Sequence, residues 1–369
     1  MGQGLWAFPE ADDPMTPVPE LYVTNLNPRF TGVSATAAAV LACQARDIEA
    51  VLVGHPLPGC PAPLTRRAAL ARAKVPPAGR DFSIWHVRRN PEMQLALFAR
   101  DVLRLPVRIV FTSAAQRRHS AWPRWLISRM DAVIATTEAA AGFVPGCRAV
   151  VPHGVDTVRF SPVTDRAAAW RATGFPGEYG ILTVGRIRPE KGTDLFVRAM
   201  IRALPALPGA VAVAVGMAKG GDEAFLDGLK AEVAAAGLTG RILFPGEVAA
   251  ERMPALMQGA GLLMALPRYE GYGVTPIEAM ACGVPIIASR TGHFQEFAGR
   301  AGGNDQAGLV VPLEDWEGAA EAAVALLSDA PCHAAWAVAA RERAVRLFGV
   351  EREAAGIMAV YEEVWAGRV

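Results

Sequence analysis

Lysine is scarce in this chain: of 37 basic residues among 369, only Lys74, Lys191, Lys219 and Lys230 are lysines. The arginine excess, beside so much alanine, fits GC-rich coding and makes each lysine worth locating. Net charge is nearly absent too, at +1. No global field draws the chain to nucleic acid, and no nucleic-acid partner is expected. Cysteines are few and scattered, at Cys43, Cys60, Cys147, Cys282 and Cys332. None forms a C-x-x-C pair, and no Cys/His run has zinc spacing, so no metal site is expected. Free thiols of this kind suit a reducing compartment. No run approaches the ~20 apolar residues of a membrane span. Residues 1–20 hold prolines and acids but no basic segment leading into an apolar run, so no secretory leader is expected. These absences point to a cytoplasmic protein.

What is present is apolar content, at 52%, enough for a well-packed globular protein. A chain of 369 residues exceeds the usual single core, so two domains are the default. Short apolar runs alternate with helical stretches: Leu21–Thr24, Ala50–Gly54, Phe82–His86, Val107–Phe111, Ala132–Ala135 and Ala149–Pro152. Helices are expected over Ser34–Arg46, Glu92–Leu105 and Ser120–Met130. The pattern then restarts with Ile181–Gly185, Val211–Val215, Ile242–Phe244, Leu262–Leu266, Val284–Ala288 and Leu309–Val311, and the tail from Trp316 reads as helical. Strand–helix alternation implies α/β domains with parallel sheets covered on both faces. The expected division is residues 1–160, 161–348 and a C-terminal helix over 349–369 that packs back on the first domain. Ligands are expected beyond the carboxyl ends of the strands, in a cleft between two doubly wound domains.

The run Pro267-Arg268-Tyr269-Glu270-Gly271-Tyr272-Gly273-Val274-Thr275-Pro276-Ile277-Glu278 joins an apolar strand to a glycine-rich turn and a helix start. Thr275 reads as the N-cap, Pro276 as a first-turn residue and Glu278 as the capping-box partner. A helix start behind glycines presents free N–H groups that attract an anion. Glu278 admits two readings, cap or ligand contact. Glu270 lies in the loop, where capping does not explain it. Cys282 reads as a small packing residue.

The strand Ile181–Val184 runs into Gly185-Arg186-Ile187-Arg188-Pro189-Glu190-Lys191-Gly192. An arginine and a lysine beside a glycine turn can neutralise two phosphates. Alone the turn could be a solvated basic loop; with Glu270 and Glu278 in the same half it becomes a nucleotide-site candidate. With His153-Gly154-Val155-Asp156 leading to Phe160, these motifs resemble a retaining glycosyltransferase of family 4 with the GT-B fold: two Rossmann-like domains facing across a cleft. The resemblance covers most of residues 150–300; the first half matches in architecture and in the turn Thr31-Gly32-Val33-Ser34.

That resemblance implies roles. Arg186 and Lys191, behind Gly185, would meet the donor diphosphate. Glu278 would meet the ribose and Glu270 the sugar hydroxyls. Backbone from Gly271 through Tyr272, Gly273 and Val274 to Thr275 would hold sugar and phosphate. Gly32 would let the acceptor side approach the diphosphate. Such enzymes generally use no metal or other cofactor, and no Asp-x-Asp lies near these motifs. The family commonly carries a histidine after a first-domain strand; here Val110-Phe111-Thr112-Ser113 has none. His119 is the nearest catalytic candidate and His86 ends an earlier strand; either could equally be structural.

The wider layout, with Trp85–Asn90 and Phe111–Gln116, is similar to bacterial lipopolysaccharide core mannosyltransferases. It implies GDP-mannose as donor and a lipid-linked core oligosaccharide as acceptor. Other readings are a UDP-sugar-dependent transferase of another glycan pathway, a sugar-nucleotide epimerase of the same fold, and a non-catalytic nucleotide-sugar-binding scaffold. Arg66-Arg67, Arg88-Arg89 and Arg117-Arg118 are basic pairs. Arg117 and Arg118 admit a solvated reading and a contact with an anionic acceptor or the cytoplasmic face of the inner membrane.

Overall fold

The computed structural model describes residues 17–29 and 31–368; the segment read above for a leader lies outside them up to residue 16. The elements are, in order, β1 (Leu21–Asn25), α1 (Gly32–Gln44), β2 (Ala50–Gly54), α2 (Arg66–Arg72), β3 (Ser83–Val87), α3 (Asn90–Leu97), β4 (Val107–Ser113), α4 (Ala121–Ile127), β5 (Ala132–Ala135), α5 (Glu138–Ala141) and β6 (Cys147–Val150). There follow α6 (Arg166–Thr173), β7 (Tyr179–Val184), α7 (Thr193–Ala203), β8 (Ala210–Val215), α8 (Glu223–Ala235), β9 (Ile242–Gly246), α9 (Met253–Gly259) and β10 (Ala260–Ala265). The chain ends with α10 (Val274–Ala281), β11 (Ile286–Ser289), α11 (Phe294–Ala298), β12 (Gly308–Val311), α12 (Trp316–Ser328), α13 (Ala330–Phe348) and α14 (Val350–Trp365). It forms two compact units, one running to Pro152 and including Val350 onward, the other His153–Gly349.

The first unit holds a six-stranded parallel sheet in the order β2-β1-β3-β4-β5-β6. β1, β3 and β5 are buried along their whole length, which is why they read as near-continuous apolar runs. On one face, Leu21, Val23 and Leu52 of the sheet pack with Val40 and Leu41 of α1 and Ile357, Val360, Tyr361 and Val364 of α14. Each such side chain contributes roughly 1.5–3 kcal/mol on burial. The Trp365 indole N–H donates to the Phe82 carbonyl at 3.2 Å and ties the end of α14 to the strand edge. On the other face Trp85, Met93, Ile109 and Leu126 form a second core.

The second unit holds a six-stranded parallel sheet in the order β12-β11-β10-β7-β8-β9. β8, Ala-Val-Ala-Val-Ala-Val, is buried throughout. The strand order reverses between β7 and β10, and a doubly wound sheet opens its ligand crevice at such a switch point.

Each of the twelve expected strands is present, with ends shifted by two residues at most. The helix expected over 92–105 is divided: α3 stops at Leu97 and a wider π-type turn, Phe98–Val102, follows. The helix expected over 120–130 is shorter, ending at Ile127. Among the described residues no single helix is long and apolar enough to cross a membrane; α12 and α13 reach that length and composition only together, across a 102° bend.

Candidate active site

At the switch point of the second unit, an open pocket lies at the carboxyl ends of β7 and β10. Gly185, Arg186, Lys191, Glu270, Thr275 and Phe294 line it. Lys191 closes a single 3₁₀ turn, Pro189–Lys191, and Gly192 follows with φ 66°. A Cβ on Gly192 would stand 1.8 Å from the Leu266 carbonyl oxygen, so the turn presses on the end of β10 as only glycine allows. This brings Lys191 Nζ to 2.6 Å from Glu270 Oε2. The pair is partly exposed, so its contribution to stability is small, about 0–1 kcal/mol. Its significance is chemical: an ammonium and a carboxylate are held together at one pocket mouth.

Glu270 is held from several sides. Its amide donates to Thr291 Oγ1 at 3.2 Å, and its Oε1 accepts the Gly271 amide at 3.0 Å. Arg268 straps the two loops together. Its amide donates to the Glu190 carbonyl at 2.9 Å, and its guanidinium donates to the Pro189 carbonyl, to both Asp194 oxygens at 2.8 Å and to Glu314. The Asp194 hydrogen bonds, with those to Glu314, hold Arg268 above its usual range. Burial works against the Asp194 carboxylate, but Arg268 outweighs it and keeps that carboxyl below the usual value. The sequence shows Arg268 beside Glu270; it does not show that this side chain secures the turn carrying Lys191. Arg268, Asp194 and Thr291 are the site residues that pattern reading missed.

The helix start behind Glu270 differs from the expectation. α10 begins at Val274, its N-cap is Gly273 at φ 90° and ψ 91°, and no side chain caps it. Thr275 is therefore a first-turn residue, and Glu278 stands beyond the capping-box position. Gly273 is required: a Cβ there would meet Phe294 Cε1 at 2.2 Å. No acidic residue occupies the first turn, so the N–H groups of Val274 and Thr275 and the positive end of the helix dipole are available to an anion. Glu278, one turn on, is partly buried, and desolvation pushes its carboxyl up to about 7 against the pull of Arg159.

Tyr272, expected among the donor contacts, is 2% exposed, and its side chain turns inward. Its hydroxyl donates to the His153 carbonyl at 2.6 Å, and its ring stacks on His293 at 5.1 Å and meets His153 and Phe297 edge-on. Only its backbone can serve the loop. The His153-Gly154-Val155-Asp156 motif is structural in the same way: Asp156 Oδ1 accepts the Val158 and Arg159 amides, and Phe160 is buried. Cys282 is fully buried, and burial pushes its thiol up to about 12, as suits a packing residue.

Arg186 lines the pocket but does not face the carboxylate pair. Its Nη2 donates to Asp222 Oδ2 at 2.8 Å and to the Lys219 carbonyl. Of the two expected diphosphate contacts, Lys191 pairs with Glu270 and Arg186 with Asp222.

In the first unit, Gly32 opens α1, and a Cβ added there would meet nothing within 4 Å. The His86 reading is corrected. His86 is fully buried between β4 and α14, with Nε2 2.7 Å from Thr112 Oγ1 and Nδ1 on the Tyr361 hydroxyl, so it is a core histidine. His119 is returned by the loop to the end of β4, with Nε2 3.5 Å from Ser113 Oγ. Burial, with Arg117 beside it, lowers its pKa and favours the neutral ring. Arg117 and Arg118 are exposed. Among the described residues, no group of three His, Cys, Asp or Glu side chains could hold a metal.

The family model for glycosyl transferases group 1 matches residues 166–343. The chain is 41% identical over 347 residues to the lipopolysaccharide core biosynthesis mannosyltransferase LpsB of Rhizobium meliloti (strain 1021), covering 94% of this chain and 97% of that one. It is 40% identical over 350 residues to the lipopolysaccharide core biosynthesis mannosyltransferase LpcC of Rhizobium leguminosarum bv. viciae, covering 94% and 96%. The structure of Anabaena Alr3699/HepE in complex with UDP and glucose aligns with TM-score 0.77 at 17% identity, covering 93% of this chain and 99% of that one. This last likeness bears on the fold alone. The two six-stranded parallel sheets are those of the GT-B fold.

Proposed function

Because this chain belongs to the group 1 glycosyl transferases, we propose that it moves mannose from GDP-mannose onto a lipopolysaccharide core saccharide, with retention at the anomeric carbon. As a hexosyltransferase it must bind a nucleotide sugar. The observation that carries the reading is the Lys191–Glu270 pair beside the uncapped start of α10. A sugar diphosphate has an anionic end and a hydroxyl-rich end, and this pair offers a cation to one and an acceptor to the other.

The unit His153–Gly349 binds the donor and the other unit binds the acceptor. Lys191 and the α10 amides stabilise the charge that develops on the leaving diphosphate, the largest single term in transfers of this kind. Arg186 joins them when a phosphate draws it from Asp222. Glu270 accepts from the sugar hydroxyls and Glu278 from the ribose. His119, at the end of β4, serves the acceptor side with Gly32, Arg117 and Arg118. The acceptor is lipid-linked and the reaction runs on the cytoplasmic face of the inner membrane.

The test is transfer to a core saccharide from a panel of GDP-, UDP- and ADP-sugars, with the product anomer read by NMR. Transfer from GDP-mannose with retained configuration is expected. Transfer from UDP-sugars but none from GDP-mannose overturns the donor. Conversion of donor without acceptor makes the protein an epimerase, and nucleotide binding without any transfer makes it a scaffold.

A further inference from the structure

A fully buried carboxylate, Glu92 in the first turn of α3, holds together two turns of the first unit. Its letters are those of a capping box, and its Oε2 does accept the Arg89 amide at 3.1 Å. Capping accounts for that bond alone. Oε2 also accepts the Arg88 amide at 2.8 Å. Oε1 accepts the Leu26 amide at 3.2 Å, across 66 residues, and Arg89 Nη1 at 3.1 Å. β1 and β3 are neighbours in the sheet, and this one side chain ties the turn after β1 to the turn after β3.

Arg89 carries the brace onward. Nη1 also donates to Asn25 Oδ1 at 3.1 Å, and Nη2 donates to Thr31 Oγ1 at 2.9 Å and to Ser34 Oγ at 3.0 Å. Thr31 is the N-cap residue of α1, yet its hydroxyl does not cap the helix; it is turned to Arg89 instead. Asn25 and Ser34 are buried, whereas Gly32, between Thr31 and Ser34, is exposed. The planar fork of a guanidinium can hold several acceptors in one fixed arrangement, which a lysine ammonium cannot. Glu92 orients that fork, and the fork orients the turn around Gly32.

We infer that Glu92 is a positioning residue for the transfer: through Arg89 it fixes the Thr31–Ser34 turn, and with it the Gly32 backbone that meets the acceptor. The inference rests on the reading of this unit as the acceptor side. Neither Glu92 nor Arg89 needs to touch the reacting atoms. A displacement of about 1 Å in a reacting group costs on the order of 10²-fold in rate, so a brace of this kind has a kinetic signature. A glutamate that only stabilised the fold would lower the melting temperature and leave the kinetics of the folded protein alone.

The test varies GDP-mannose and the core saccharide in turn, with the full chain, and reads steady-state kinetics beside the melting temperature. Glu92→Gln turns an NH₂ group toward amide donors. Arg89→Ala removes the fork and leaves the three amide bonds to Glu92 in place. Each should lower kcat/KM for the acceptor by on the order of 10²-fold and leave the donor KM unchanged. The double variant should fall no further than the worse single one, because the two residues act in series. Arg89→Lys should recover part of the melting temperature and none of the acceptor kinetics. If Glu92→Gln does not fold as judged by circular dichroism, the two Arg89 variants carry the test. The inference is overturned if folded variants keep wild-type acceptor kinetics, if lysine restores them, or if the donor KM rises as much as that of the acceptor. A wild type that transfers nothing to the saccharide overturns the functional reading, and this inference with it.

Discussion

Lys191 Nζ lies 2.6 Å from Glu270 Oε2 across 79 residues of sequence. In this structure each neutralises the other. A bound sugar diphosphate would claim both, the phosphate drawing on the ammonium and the sugar hydroxyls on the carboxylate. Lys191→Ala and Glu270→Gln should each lower kcat/KM by on the order of 10²–10³-fold, matching about 2–4 kcal/mol of transition-state stabilisation. The double variant should lose less than the product of the two, because the residues act as one unit. Steady-state kinetics on the three proteins check this. Near-normal turnover in both single variants would sink the assignment of the site.

Arg186→Ala should also lower kcat/KM by on the order of 10²-fold if its guanidinium reaches the phosphates. Asp222→Ala releases the same guanidinium from its ion pair and should tighten nucleotide binding modestly. Isothermal titration with GDP separates the two; weaker binding by Asp222→Ala would contradict the competition.

Arg268 acts through Lys191 and Glu270. Arg268→Ala removes the guanidinium hydrogen bonds to Pro189, Asp194 and Glu314, and leaves the mostly buried Asp194 carboxylate unpaired. A loss of about 1–3 kcal/mol in stability is expected. The kcat of the still-folded fraction should also fall, because the turn bearing Lys191 loosens. Arg268→Lys should restore stability only in part, since a lysine cannot reproduce the two-pronged contact with Asp194. Full rescue of both properties by lysine would argue against the strap.

Two glycines should behave oppositely. Gly192→Ala puts a Cβ into the Leu266 carbonyl at a φ of 66°, so a loss of roughly 2–4 kcal/mol in chemical denaturation is expected. Gly32→Ala meets nothing, and alanine is a better helix residue, so stability should hold within about 0.5 kcal/mol. If Gly32→Ala nonetheless slows transfer, a ligand approaches that backbone closely. Unchanged activity would remove Gly32 from the site.

Glu278 gives a pH signature. Its carboxyl sits at about 7 in the folded protein against an ordinary 4.5, because desolvation disfavours the charged form. Folding therefore favours the proton. This group's contribution to stability is full below about 4.5 and is lost as pH rises through about 7. Glu278→Gln, which stays neutral, should melt increasingly higher than the wild type, by a few degrees, between pH 5 and pH 8. GDP binding by the wild type should strengthen over the upper part of that range, as the ionised carboxylate becomes a better acceptor for ribose hydroxyls. A melting difference that stays flat with pH would show that the charge is not penalised.

Much of the fold was legible because parallel strands buried on both faces leave unbroken apolar runs, as in Ala210–Val215. Where pattern reading failed, a local signal was outweighed by packing. Thr275-Pro276-Ile277-Glu278 has the letters of a capping box, but the left-handed turn at Gly273 starts the helix earlier. His86 stands at a strand end that invites a ligand, but it finds partners inside its own unit, on Thr112 and Tyr361. Arg88, in one of the basic pairs, is buried.

The sequence by itself determined the chemical parts: two alternating α/β halves, a glycine turn carrying a scarce lysine, and a loop glutamate ahead of a helix start. Only the tertiary structure decided which parts meet. Strand order places β10 beside β7, and the turn at Gly192 closes against the end of β10, so Lys191 reaches Glu270 while Arg186 is drawn aside to Asp222. The physical reason is that residue type and spacing constrain a few neighbouring residues, whereas contacts across 79 positions are set by how whole strands pair and which side chains must be buried.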